Sequence, residues 1–393
     1  MNLRIYTLFA IVLFFSCSNE SKNNDFVQSH IETNKLEYAP DKRVALLNIE
    51  AIKNKDVYVL KGESNLPLAI DALKRNLALS NIQFLDSIHI LPSADLNGKT
   101  KGIVTISVAN LRSDHSHSAE LATQATLGTP VKVYKSYENW YLVQTPDRYL
   151  SWVDSGGIEL MDDAAASNWK SKEKVIFTKT FGHAFSEPRH TSTIVSDIVA
   201  GGILENLGEV KGFYKVGFPD GRIAYIEHQK AEDYKLWLEK LDPTSNSLVA
   251  TSKTLIGVPY LWGGTSTKGV DCSGFTKTIY FLNGMVIPRD ASQQVHTGKA
   301  IDSTRNFVDL VAGDLLFFGS KATDSTKEKV VHVGMWIGNN EFIHSSGRVQ
   351  ISSVDKNAPN YDAFNHDRYL RSKRILNENE GLINLTKATV FKD

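Results

Sequence analysis

The spacing of apolar residues changes twice along this chain, and those changes restrict its fold more than any other feature. From Lys42 to about Phe84 apolar residues recur at helical intervals, as in Leu66, Ile70, Leu73 and Leu77, which predicts a small helical region. From Gly102 to about Met161 the pattern becomes short alternating segments: Gly102–Val108, Pro130–Tyr134, Trp140–Gln144 and Tyr149–Val153. Turn residues such as Thr-Pro-Asp147 and Gly156-Gly157 separate them, which predicts a small all-β barrel. Lys174–Glu227 loosely repeats that plan, with strands expected at Ile198–Leu204, Phe213–Gly217 and Arg222–Ile226 and a hairpin turn at Phe218-Pro-Asp-Gly221. A helical stretch, Ala231–Leu241, is broken at Asp242-Pro243. Beyond it, helices at Leu248–Leu255 and after Asp271 precede strands at Asp314–Phe318, Val331–Ile337 and Glu341–Ser345, an α+β order.

At 393 residues the chain has room for several domains, and its 42% apolar and 22% charged content suits packed cores. Its 44 basic and 44 acidic side chains cancel, leaving no positive field to attract a nucleic-acid partner. The N-terminus reads Met-Asn-Leu-Arg4, an apolar run Ile5–Phe15, then Ser16-Cys17, the pattern of an export signal. The run is about half the roughly 20 residues that a membrane-spanning helix needs. Its Leu13-Phe-Phe-Ser-Cys17 ending resembles a bacterial lipoprotein signal, which implies acylation of Cys17, residues 18–34 as a polar tether, and a protein held by its lipid anchor in the bacterial cell envelope, facing the periplasm. With Cys17 acylated, the second cysteine, Cys272, has no partner, and it is either a buried inert thiol or a reactive one.

The setting of Cys272 favours reactivity. It follows the glycine-rich Gly257-Val-Pro-Tyr-Leu-Trp-Gly-Gly264 and lies within Gly269-Val-Asp-Cys-Ser-Gly-Phe275, before the amphipathic run Phe275–Leu282. That places it at a helix N-terminus, where unpaired N–H groups favour thiolate and stand ready for a developing oxyanion. A base is available in Val331-His-Val-Gly-Met-Trp-Ile337, and Glu341-Phe-Ile-His344 supplies a second imidazole on the next strand across a Gly338-Asn-Asn340 turn. His332 would take the thiol proton while His344 fixes its tautomer.

Asp271-Cys-Ser-Gly274, His332-Val-Gly and His344, with Pro288-Arg-Asp-Ala-Ser-Gln293 between them, resemble the NlpC/p60 family of cell-wall cysteine peptidases over about Leu248 to Leu376. The resemblance implies a papain-like catalytic core, acting on the peptide stems of peptidoglycan, with Cys272, His332 and His344 as its triad. Including both barrels, the chain resembles the γ-D-glutamyl-L-diamino acid endopeptidases with two bacterial SH3-like domains, whose first barrel narrows the cleft to stems with a free N-terminal L-Ala. Carried over by motif, Glu120 in Ser118-Ala-Glu-Leu and Tyr149 in Pro146-Asp-Arg-Tyr-Leu-Ser-Trp become recognition residues. Glu120 and Asp271 are expected to hold the substrate ammonium, with Ser273 and Ser292 on the D-Glu portion and Asp290 as a further substrate-binding residue. Arg148 stands where the family usually has glycine.

The expected architecture is therefore multidomain: signal and anchor cysteine (1–17), tether and N-terminal helical region (18–101), SH3-like barrels (102–165 and 166–232) and an α+β papain-like catalytic domain (242–376). No cofactor or metal is called for. His115 and His117 have no further ligand at metal spacing and are expected in a solvated loop, while Trp140, Trp152 and Trp262 are expected as barrel and cleft packing. An acyltransferase or amidase using the same Cys-His machinery, or a non-catalytic wall-binding lipoprotein, are the alternative functions. The first needs an apolar acyl groove, and the second has no use for a Cys and two His in register.

Overall fold

A computed structural model describes residues 19–55 and 57–392, so Cys17 and the export segment lie outside the described residues. The chain forms two compact units, one ending at Leu91 and one beginning at Pro92.

The first unit corrects the expectation of a helical region. Helices Asn19–Tyr38 and Pro67–Leu79 are joined by strands Leu47–Asn54, Val57–Ser64 and Phe84–Ile90 in a three-stranded sheet. The first two strands are antiparallel, and Val57–Ser64 pairs parallel with Phe84–Ile90. A parallel return needs a crossover, which the second helix provides, burying Leu73 and Leu77 against Tyr58 and Leu60. Residues 18–34 were expected as a tether, yet helix spans nearly all of that stretch. Its buried face is carried by Val27, Ile31 and Asn34 among many polar side chains, too sparse a stripe to stand out as a period.

In the second unit, seven strands from Lys101–Val104 to Ile158–Met161 wrap around Val104, Leu111, Val133, Val143 and Val153. The segment Gly102–Val108, expected as one strand, is two. Lys101–Val104 pairs with Pro130–Tyr137 and Ile158–Met161, while Val108–Arg112 pairs with Leu121–Thr126 and Leu150–Asp154, so the chain turns a corner between them. A helix, Asp163–Ser171, N-capped by Asp162, leads into a second seven-stranded sheet that encloses Val175, Ile198, Leu204, Val216 and Ile226.

The remainder sets helices Ser245–Lys253 and Cys272–Leu282 against a six-stranded antiparallel sheet whose centre is Leu315–Ser320, Lys329–Gly338 and Glu341–Ser346. Phe275 and Ile279 of the second helix are fully buried among Leu315, Phe317, Val333 and Ile343. Past Leu376 the chain turns back. Ile383–Asn384 pairs with Met285–Val286, and Leu385 and Phe391 are buried with Ile176, Ile203, Tyr234 and Trp237 of the second barrel region. No described helix is long and apolar enough to cross a membrane.

Candidate active site

Asp271 builds the N-terminus on which Cys272 sits. Its Oδ1 accepts from the Gly274 amide at 2.7 Å and its Oδ2 from the Gly263 amide at 3.0 Å, so one side chain caps the helix and pins the preceding loop. Gly274 is required by contact: a Cβ there would lie 1.9 Å from the Gly264 carbonyl oxygen. The fully buried Arg289 then grips the same carboxylate, Nη2 to Oδ2 at 2.5 Å and Nη1 to Oδ1 at 3.1 Å, and adds Nη1 to Ser273 Oγ at 3.0 Å and Nε to Thr123 Oγ1 in the first barrel at 3.1 Å. With both oxygens engaged and the residue buried, Asp271 is a structural anchor. This corrects its expected part in holding a substrate ammonium.

The two histidines meet across the expected hairpin. Asn339 and Asn340, at φ 54° and 60°, form its turn between Gly338 and Glu341, the left-handed pair that a tight two-residue hairpin requires. His332 Nε2 and His344 Nδ1 lie 2.8 Å apart, and His344 Nε2 is 3.0 Å from Ser352 Oγ and 3.9 Å from Asp362 Oδ2. Gly334, two residues after His332, leaves room for this arrangement. A Cβ there would sit 2.8 Å from the Phe342 ring and 3.2 Å from His344 Cβ.

The Cys272 thiol is buried and faces the amides of Val333, next to His332, and Ser273. Burial pushes it up to about 11, and the Asp271 carboxylate adds to that shift against the opposing pull of the two amides and Arg289. The expectation that the helix terminus favours thiolate is thus reversed, because desolvation and a neighbouring anion outweigh the amides. Burial also drives His332 well below 6.5, helped by His344 and Arg368, and lowers His344 to about 4 against the raising influence of Asp362. Each of these shifts favours the uncharged form of its group, a thiol at Cys272 and neutral imidazoles at His332 and His344.

The first barrel closes over this centre. Gln124 exchanges hydrogen bonds with Thr265, amide to Oγ1 at 3.0 Å and amide to Oε1 at 3.0 Å, which docks strand Leu121–Thr126 beside the Cys272 loop. Tyr149 donates to Asp290 Oδ2 at 3.1 Å, and Asp290 Oδ1 is 3.8 Å from Arg289. Glu120 is exposed and accepts from the Trp262 indole at 2.6 Å. Trp262, expected as packing, is 62% exposed and joins barrel to catalytic region through that bond, whereas Trp140 is buried in the barrel as expected. Ser292 is half-buried on the short helix Ala291–Gln294. His115 and His117 pack against Tyr137 and Trp140, with ring centroids 4.2 and 4.9 Å apart. Sequence reasoning did not single out Arg289, Ser352 or Asp362. For Arg289 the available signal was a lone guanidinium directly after the run Met285–Pro288.

The sequence profile of the NlpC/P60 family matches residues 257–368, a span holding Cys272, His332 and His344, and that of the bacterial SH3 domain matches 107–159, which holds Glu120 and Tyr149. A γ-D-glutamyl-L-lysine dipeptidyl-peptidase of Bacillus cereus is 32% identical over 257 residues, 63% of this chain and 74% of that protein. A dipeptidyl-peptidase 6 of Lysinibacillus sphaericus is 30% identical over 274 residues, 66% of this chain and 93% of that protein. Among solved structures, an NlpC/P60 family protein from Bacillus cereus superposes with a TM-score of 0.59 at 27% identity, covering 70% of this chain and 99% of that one.

Proposed function

Because this chain belongs to the NlpC/P60 family, we propose that it is a cell-wall peptide hydrolase: a cysteine endopeptidase that cleaves the γ-D-Glu to L-diamino acid bond of peptidoglycan stem peptides. The observation that carries this reading is the buried Cys272 thiol at a capped helix N-terminus, against the strand of a histidine that a second histidine engages at 2.8 Å.

His332 removes the thiol proton as the sulfur attacks the γ-carbonyl carbon, which suits a pair that rests neutral. The C–N bond of the tetrahedral adduct then breaks, the leaving amine takes the proton back from His332, and a thioester remains on Cys272. Water, deprotonated by His332, hydrolyses the thioester and returns the thiol. Backbone amides at the start of the Cys272 helix stabilise the oxyanion in both halves.

Glu120 and Asp290, the latter positioned by Tyr149, are the carboxylates left for the ammonium of an N-terminal L-Ala, since Asp271 is committed to Arg289. Ser273 and Ser292 are assigned to the D-Glu portion. The protein is assigned to the cell envelope, held there by an acylated Cys17.

The test is mass-spectrometric turnover of L-Ala-γ-D-Glu-diamino-acid peptide by the 18–393 chain, beside the N-acetylated peptide and the Cys272→Ala variant. Release of L-Ala-D-Glu from the free-amine peptide alone, and only with Cys272 present, is the expected result. Cleavage of the acetylated peptide as well would remove the amine requirement. No cleavage of either would reject the peptidase in favour of acyl transfer or wall binding.

A further inference from the structure

The hydrogen bond between His332 Nε2 and His344 Nδ1 admits two proton arrangements, because one nitrogen must donate and the other accept. If His344 donates, the neutral His332 carries its proton on Nδ1 and has no lone pair left to receive the thiol proton. If His332 donates from Nε2, its Nδ1 is free to act as base, and the neutral His344 must carry its own proton on Nε2. Only the second arrangement is productive, and something beyond the two rings has to select it.

We propose that Asp362, together with Ser352, makes that selection and is a positioning residue of the catalytic relay. This inference rests on the peptidase reading of the site. The two groups flank His344 Nε2, Ser352 Oγ at hydrogen-bond distance, 3.0 Å, and the Asp362 carboxylate at 3.9 Å. A carboxylate there attracts an N–H and repels a lone pair, so it favours the proton on Nε2 and hence the donating Nε2 of His332. When His332 takes the thiol proton, the positive charge spread over the pair faces the same carboxylate.

Asp362 is held for this purpose. The Asn365 amide donates to its Oδ1 at 3.0 Å and Asn365 Nδ2 to its Oδ2 at 2.5 Å, while Asn365 Oδ1 accepts from Arg368 Nε at 3.1 Å and Nη2 at 2.8 Å. The charged and titratable groups facing His344 are His332, Asp362 and Arg368, the last of which also acts on Cys272. The Phe342 ring lies tilted against His344 at 55°, with centroids 4.8 Å apart. Of these groups, among the described residues, only Asp362 favours a proton on His344.

Asp362 also N-caps the helix Ala363–Asp367, and that purely structural role is separable because asparagine caps equally well. The experiment compares the unaltered 18–393 chain with Asp362→Asn by 15N NMR of the histidine rings, together with stem-peptide kinetics across pH. The expected result is an Nε2-protonated His344 in the unaltered chain, loss of that single tautomer in the variant, and a kcat lower by roughly 10- to 100-fold with KM within about twofold. The acid limb of the rate profile should move to lower pH, since the carboxylate that raised His344 is gone. Asp362→Ser, which keeps a capping oxygen, replaces the asparagine variant if that one does not fold. An unchanged tautomer and unchanged kcat in the variant would overturn the proposal. If the unaltered chain cleaves no stem peptide, the peptidase reading fails, while the ring spectra still decide whether Asp362 sets the tautomer.

Discussion

A buried thiol and two buried imidazoles at rest in their neutral forms determine how the site responds to pH. His332 stays a base well below pH 6.5, so the acid limb of kcat/KM should fall below that value, and a limb at or above 6.5 would contradict the neutral resting pair. The same groups tie stability to pH. Unfolded, each histidine titrates near 6.5, whereas folded His344 titrates near 4, so between these values the unfolded chain binds more protons and stability falls as pH is lowered. The urea midpoint should therefore drop between pH 7 and pH 5, and drop less in His344→Gln. Gly334 is a second constraint at this scale: Gly334→Ala should leave a folded protein with kcat down more than about tenfold, because the added methyl presses on Phe342 and His344. Near-normal turnover in that variant would show that the histidine pair tolerates displacement. Cys272, His332 and His344 were legible in the sequence because each sits in a short local motif. Asp362 was not, because it reaches the site from a loop eighteen positions after His344, and only the folded sheet brings them together.

The turn that presents Tyr149 shows how an element can carry strain for a site. Arg148 occupies the left-handed region at φ 68°, held by its amide to Thr145 O at 2.8 Å and by Gln144 Nε2 to its own carbonyl at 2.8 Å. This gives a physical reason for the glycine usual at that position. Arg148→Gly should stabilise the protein by about 1 kcal/mol, read from the urea midpoint, and a loss of stability would mean that the arginine side chain supports the turn. The turn is also tied to the Cys272 helix by Lys277 Nζ and Asp147 Oδ2 at 2.9 Å, both largely buried. Strands were legible where alternation was clean, as at Trp140–Gln144 and Phe213–Gly217. They were missed at Leu47–Asn54, where the exposed Ile52 breaks the alternation, and at Val57–Ser64, where four apolar residues run together from Val57 to Leu60 before a polar half.

At the scale of the whole molecule, the arrangement of barrels and catalytic region is reinforced by the last residues of the chain. Leu385 and Phe391 enter a core shared by the second barrel region and Val286, and Lys392 pairs with Glu173. The sequence after Leu376 carried no pattern to reveal this, because its few apolar residues, among them Leu385 and Phe391, follow no helical or strand period and acquire meaning only against the surface they fill. Phe391→Ala should cost about 3 kcal/mol by leaving a cavity at that junction, seen as a lower urea midpoint. A midpoint within error of the unaltered chain would mean that the tail is dispensable to the fold. The central claim, that Cys272 carries the acyl group of a stem peptide, is tested most directly by acid-quenching the 18–393 chain during turnover of L-Ala-γ-D-Glu-diamino-acid peptide and mapping the protein by mass spectrometry. An L-Ala-γ-D-Glu acyl group on the peptide containing Cys272, absent from Cys272→Ala, is the predicted result. Continued turnover by Cys272→Ala, or an adduct on another residue, would contradict it.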